Sequence, residues 1–166
     1  MKRFADLLER LVYTNSRNEK IRHLSTYFTE VVDPVRGLAV AAIAGTLDIP
    51  NVTPKVIRTL AEDRVDPTLF RLSYDFVGDL AETTSLIWPS EETAIDVPLD
   101  AGVNALTSAT RRTIPAVLAR LLDQLGQSER LALLKLATGG LRVGVSARLL
   151  KMALAQYGGK NVETIE

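Results

Sequence analysis

The sequence predicts an all-α domain, compact and built from roughly nine to eleven short helices, and three observations carry that expectation. Apolar residues recur at three- and four-residue spacing along nearly the whole chain. Cap-and-proline pairs punctuate it at Asp33-Pro34, Thr53-Pro54 and Asp66-Pro67. No segment alternates apolar and polar residues for long enough to make a half-buried strand.

Taken in order, Phe4, Leu7, Leu8 and Leu11 make one helical stripe, and Ile21, Leu24, Tyr27 and Phe28 make the next. Asp33 reads as an N-cap with Pro34 in the first helical position, opening "VRGLAVAAIAG", which runs to a glycine stop at Gly45. Thr53-Pro54 repeats the device before "KVIRTLAED", and Asp66-Pro67 repeats it before "TLFRLSYDFVG". Asp79 caps "LAETTSLIW", with Glu82 three residues on as the partner of a capping box, and Pro89 ends that helix. Residues 90–102 are acidic and weakly patterned and read as the longest loop. Helices then follow near 103–111, 114–125 and 128–137, and "VSARLLKMALAQY" forms the last, stopped by Gly158-Gly159.

At 166 residues the chain suits a single domain, 1–166, with a real core. No apolar run reaches the ~18 residues of a membrane span. The start, "MKRFADLLERL", carries Asp6, Glu9 and Arg10 within its apolar pattern, which suits an amphipathic helix rather than a signal peptide. With no cysteine there are no disulfides, thiol nucleophiles or cysteine metal sites, and His23 is the one histidine, too few for a zinc site or a catalytic triad. The expected location is cytoplasmic, with no membrane partner. Net charge is zero, but its distribution is uneven. From Arg111 to Lys151 eight basic residues face only Asp123 and Glu129, while from Asp48 to Asp100 four basic residues face eleven acidic ones. A basic segment of this kind suits a polyanion.

Within the basic segment lies "TGGLRVGVS", residues 138–146. Gly139, Gly144 and Ser146 stand where the G-x-x-x-x-G-K-[ST] phosphate loop wants them, but Val145 replaces its lysine and the preceding "SERLALLKLAT" is a helix former instead of a strand. A nucleotide-hydrolase loop is therefore excluded. The residues make sense as a helix-to-helix corner. Gly139-Gly140 stop one helix with positive φ and leave backbone N–H groups uncovered by side chains. Ser146 caps the next helix, and Arg142 projects from the turn between them. Such a cationic corner suits a sugar-phosphate backbone.

The stretch "LLKLATGGLRVGVSARLLKMALA" resembles the signature of the N-terminal DNA-binding domain of ATP-dependent DNA ligases, the bacterial ones above all. "YTNSRNEKIRHLSTYF" is similar to the opening helices of that family, and "LSYDFVGDLAETTSLIW" to its Gly-Asp-Leu-Ala-Glu segment. The three stretches occur in the family's order and span essentially the whole chain. The resemblance implies an all-helical domain that grips nicked double-stranded DNA without reading sequence, as one part of a clamp closed by an adenylation domain and an OB-fold domain. It implies backbone contact by Thr138, Gly139, Gly140, Arg142 and Gly144, with Ser146, Lys135, Arg148 and Lys151 as lesser candidates. The complete enzymes use ATP and Mg2+ to join nicks in DNA repair, replication and recombination, through AMP attached to the lysine of a Lys-x-Asp-Gly motif. That motif is absent here. The expectation is accordingly a chain with no catalytic residue, metal or cofactor of its own, inactive alone and nucleoid-associated when bound to DNA. The adenylation domain is expected to follow Glu166. The alternative is a stand-alone helical protein-interaction module without DNA binding.

Other residues have plainer readings. Asp75, Asp79 and Glu82 suit capping better than metal binding, and Trp88 and Tyr74 suit a core better than base stacking. Ser16, Arg17, Lys20 and Arg22 form a second basic cluster and a further candidate for phosphate contact.

Overall fold

The computed structural model describes residues 1–89 and 95–165. Among them are ten α-helices and no strand, in agreement with the all-α expectation: α1 (Lys2–Tyr13), α2 (Arg17–Glu30), α3 (Val35–Ala44), α4 (Pro54–Arg64), α5 (Pro67–Val77), α6 (Leu80–Ile87), α7 (Leu99–Ser108), α8 (Ile114–Gln124), α9 (Gln127–Ala137) and α10 (Ala147–Gly158), then a short 3-10 turn, Val162–Thr164. No helix among the described residues is long and apolar enough to cross a membrane.

Most of the expected starts are capped as their sequences require. Thr53 Oγ1 accepts from the Val56 amide, Asp66 from Thr68 and Leu69, Asp79 from Glu82, and Ser146 from Leu149. Each such cap is worth about 1 kcal/mol. Asp33 departs from expectation. The Asp33–Pro34 peptide is cis, α3 starts at Val35, and no side chain caps it. The Asp33 carboxylate is turned instead to the Arg36 guanidinium, 2.9 Å away. The expected loop over 90–102 is also corrected at its end. α7 begins at Leu99 rather than near 103, because Leu99, Val103 and Leu106 share one buried face directly after Pro98. The first part of that loop, 90–94, lies outside the described residues.

The helices belong to two compact units. One comprises Met1–Lys2 and Asp48–Gly140, and holds α4 to α9; the other comprises Arg3–Leu47 and Leu141–Glu166, and holds α1 to α3 with α10.

In the six-helix unit α6 packs against α4, α5 and α9. Its buried face carries Thr83, Thr84 and Ser85, small residues that let neighbouring helices approach. Thr83 and Ser85 turn their hydroxyls back onto the carbonyls of Asp79 and Glu82, so burial leaves those groups hydrogen-bonded. Trp88, 3% exposed, donates its indole N–H to Asp123 at 3.0 Å, while the Arg64 guanidinium lies over the ring at 4.7 Å. Trp88 is thus core, and Tyr74 lies parallel to Phe70 under Arg58.

The four-helix unit is built on α2 and α10, its most extensive helix pair. Phe4, Leu8, Leu24, Phe28, Leu149 and Ala153 are buried there. Phe28 meets the ring of Tyr157 edge-on, and Arg36 lies over the Tyr157 ring at 4.8 Å. The buried Ser25 hydroxyl donates to the carbonyl of Ala153 at 3.1 Å.

Candidate nucleic-acid interface

The stretch 138–146 divides between the two units after Gly140. In the six-helix unit, Thr138, Gly139 and Gly140 end α9 by a Schellman arrangement. The Gly140 N–H donates to the carbonyl of Lys135 at 2.8 Å, and the Gly139 N–H to that of Leu136 at 3.4 Å. Gly139 takes the positive φ, +68°, with nothing near its missing Cβ, whereas Gly140 does not take a positive φ. This refines the expectation for the glycine pair. Their N–H groups are engaged by the helix end and are not free donors. Thr138 is exposed, and its hydroxyl donates to the carbonyl of Leu134.

Lys135 is likewise occupied. Its ammonium is bonded to the Asp79 carboxylate, the same carboxylate that caps α6. Burial pulls the Asp79 carboxyl upward, but the hydrogen bonds from Lys135 and the Glu82 amide outweigh it and hold the group below the usual carboxylate range. Lys135 therefore secures a helix start. Arg130, another member of the basic segment, is 3% exposed. Its guanidinium donates to the carbonyls of Leu122, at 2.7 Å, and Trp88, at 3.3 Å. These lie at the C-terminal ends of α8 and α6, where carbonyls lack intrahelical partners and a cation is favoured. A count of charges along the sequence cannot separate this internal arginine from the exposed ones. Arg111, Arg112 and Arg120 are exposed on the same unit and, among the described residues, form no ion pair.

The four-helix unit carries the second half of the stretch. Arg142 is exposed and, among the described residues, has no hydrogen-bond or ion-pair partner. Val143 turns inward and is buried. Gly144 has φ +63°, and Ser146 caps α10 with Arg148 and Lys151 exposed beyond it.

The loop is tied to α2 by Lys20, whose Nζ donates to the carbonyl oxygens of Val143 at 2.9 Å and Gly144 at 3.1 Å. A Cβ on Gly144 would stand 2.5 Å from that Nζ, so the close approach and the positive φ both require glycine. Arg17, one turn earlier on α2, reaches the Met152 sulfur on α10 at 2.9 Å. The basic cluster of α2 is thus brought to the glycine loop from more than a hundred residues away, with Glu19 paired to Arg22 beside it at 3.5 Å. The amides of Arg142, Gly144 and Val145 make no hydrogen bond among the described residues. The free donors therefore lie downstream of the glycine pair, between Arg142 and the start of α10.

This arrangement offers cations and amide donors without a nucleophile–base pair. It can hold an anion. Compared with known proteins, the chain matches no protein-family model and no curated protein sequence.

Proposed function

We propose that the chain is a DNA-binding domain of an ATP-dependent DNA ligase, gripping nicked duplex through its phosphates without reading sequence. The observation that carries this reading is Arg142, exposed and unpaired on a turn whose carbonyls are drawn back to Lys20. The ordered resemblance of the three sequence stretches supports it. Arg142, Arg148 and Lys151 are the charged contacts of the four-helix unit, with Gly144 and Ser146 beside them. Thr138, Gly139 and Gly140 supply a helix end nearly bare of side chains on the other unit. The partners are nicked double-stranded DNA and the adenylation and OB-fold domains of the same ligase, which bring ATP and Mg2+. The chain itself has no Lys-x-Asp-Gly lysine and seals nothing alone. Its place is the bacterial cytoplasm, associated with the nucleoid when bound to DNA.

The test is fluorescence anisotropy with a nicked duplex over a range of salt. Affinity falls steeply as salt rises, because each phosphate contact releases counterions. Arg142→Ala weakens binding to all sequences alike and lowers the salt slope by about 0.9, the share of one phosphate contact. Unchanged affinity in that variant refutes the role of the loop.

One observation favours the alternative, a helical protein-interaction module. Leu69, Leu72 and Phe76 form an exposed apolar stripe on α5, with Phe76 92% exposed. That reading gains if the wild-type chain shows no salt-dependent binding to nicked duplex.

A further inference from the structure

We propose that Lys20 is a positioning residue that turns two successive backbone amides, those of Gly144 and Val145, outward as phosphate donors. The inference rests on the phosphate-binding reading above and adds the device that creates the donors.

The peptide geometry carries it. In a trans peptide the C=O and the N–H of the following residue point in opposite directions. The carbonyl of Val143 points at Lys20 Nζ, so the Gly144 N–H points away from it. The carbonyl of Gly144 points at the same atom, so the Val145 N–H points away as well. One ammonium thus gathers two neighbouring carbonyls and presents two neighbouring amides on the opposite side, and neither amide has a partner among the described residues. Successive outward N–H groups make a concavity that suits an anion. Arg142 stands two residues before Gly144 in the same turn and supplies the free charge.

Several features of the unit agree with this division of labour. Lys20 is only partly exposed, and its charge is engaged by the carbonyls instead of being presented to solvent. α2 itself is anchored to α10 at two further points, Arg17 to the Met152 sulfur and Ser25 to the Ala153 carbonyl, so Lys20 projects from a fixed base. Gly144 carries no side chain in the one place where a Cβ would displace the ammonium. The role is distinct from that of a surface lysine meeting phosphate directly, and the two can be told apart.

The experiment follows the backbone amide resonances of the whole chain as nicked duplex and, separately, inorganic phosphate are added, for wild type and Lys20→Met. In wild type both additions move the Gly144 and Val145 amides downfield. In Lys20→Met those shifts vanish and affinity for the duplex falls about fivefold, while the salt slope stays the same, since no phosphate contact has been removed. Unchanged resonances in α4 to α9 report that the variant is folded. Loss of about 0.9 from the slope with both amide shifts intact makes Lys20 a direct contact and overturns the proposal. Amides that do not move in wild type with either anion overturn it too. If wild type binds no duplex, yet phosphate moves the two amides and Lys20→Met abolishes that response, the DNA-ligase reading fails and the positioning role stands.

Discussion

Replacing Gly144 by Ala, beside the same change at Gly139, isolates the seat of Lys20. Both glycines have positive φ, +63° and +68°, so each alanine meets the same left-handed strain of about 1–2 kcal/mol. Around Gly139 nothing lies within 4 Å of the added Cβ, and the strain is the whole cost. At Gly144 the Cβ falls 2.5 Å from Lys20 Nζ and 3.9 Å from its Cε, so the ammonium must leave at least one of its two carbonyls. A hydrogen bond from a charged donor is worth about 1.5–3 kcal/mol, and water replaces part of that for a partly exposed lysine, leaving about 1–2 kcal/mol. Gly144→Ala is therefore expected to cost about 2–4 kcal/mol and Gly139→Ala about 1–2 kcal/mol. Urea unfolding followed by far-ultraviolet circular dichroism measures both. In a Lys20→Met background the extra cost at Gly144 should disappear, since the ammonium is already gone. Equal costs at the two glycines, or an excess at Gly144 that survives Lys20→Met, would refute the argument that the ammonium and not the φ angle sets the difference.

Other expectations bear on the rest of the molecule. Arg130→Met leaves the carbonyls of Leu122 and Trp88 without their donor and should cost about 2–3 kcal/mol; a loss under about 0.5 kcal/mol would mean that water takes the guanidinium's place. Asp79 has a lowered folded pKa, so its contribution is present above the unfolded value and is lost as pH falls through the folded one. Stability should thus decline below pH about 4, and less so in Asp79→Asn, which keeps an acceptor for the Glu82 amide but cannot titrate; identical acid limbs in urea titrations would contradict this. Phe76→Ser, at a side chain exposed almost completely, should change stability by less than about 0.5 kcal/mol and leave duplex affinity as it was.

The parts of the fold legible in the sequence are those decided within a few residues. Thr53-Pro54 and Asp66-Pro67 announce α4 and α5 because a cap and its amides lie within one turn of each other. Asp79 and Ser146 were readable for the same reason. Asp33 had an equally good local pattern, but its carboxylate is engaged by Arg36 instead of a helix amide. The start of α7 was obscured by Asp100 and Gly102, which look like loop residues although Leu99, Val103 and Leu106 keep helical spacing. At the candidate site Arg142 was visible as a lone cation among glycines. That Lys135 and Arg130 are engaged, the first by Asp79 and the second inside the unit, depends on partners several helices away. The same holds for Lys20, whose carbonyl partners follow it by 123 and 124 residues.

The buried indole of Trp88 makes the six-helix unit optically distinct. It is the one tryptophan of the chain, and Tyr13, Tyr27 and Tyr157 all lie in the four-helix unit. Its emission depends on burial, on Asp123 and on the Arg64 guanidinium above the ring, all features of the unit that holds it. Intrinsic fluorescence therefore follows the melting of one unit, while the far-ultraviolet helical signal follows both. Coincidence of the two curves would mean that both units unfold as one cooperative body, and separation would yield two stabilities from a single unlabelled chain.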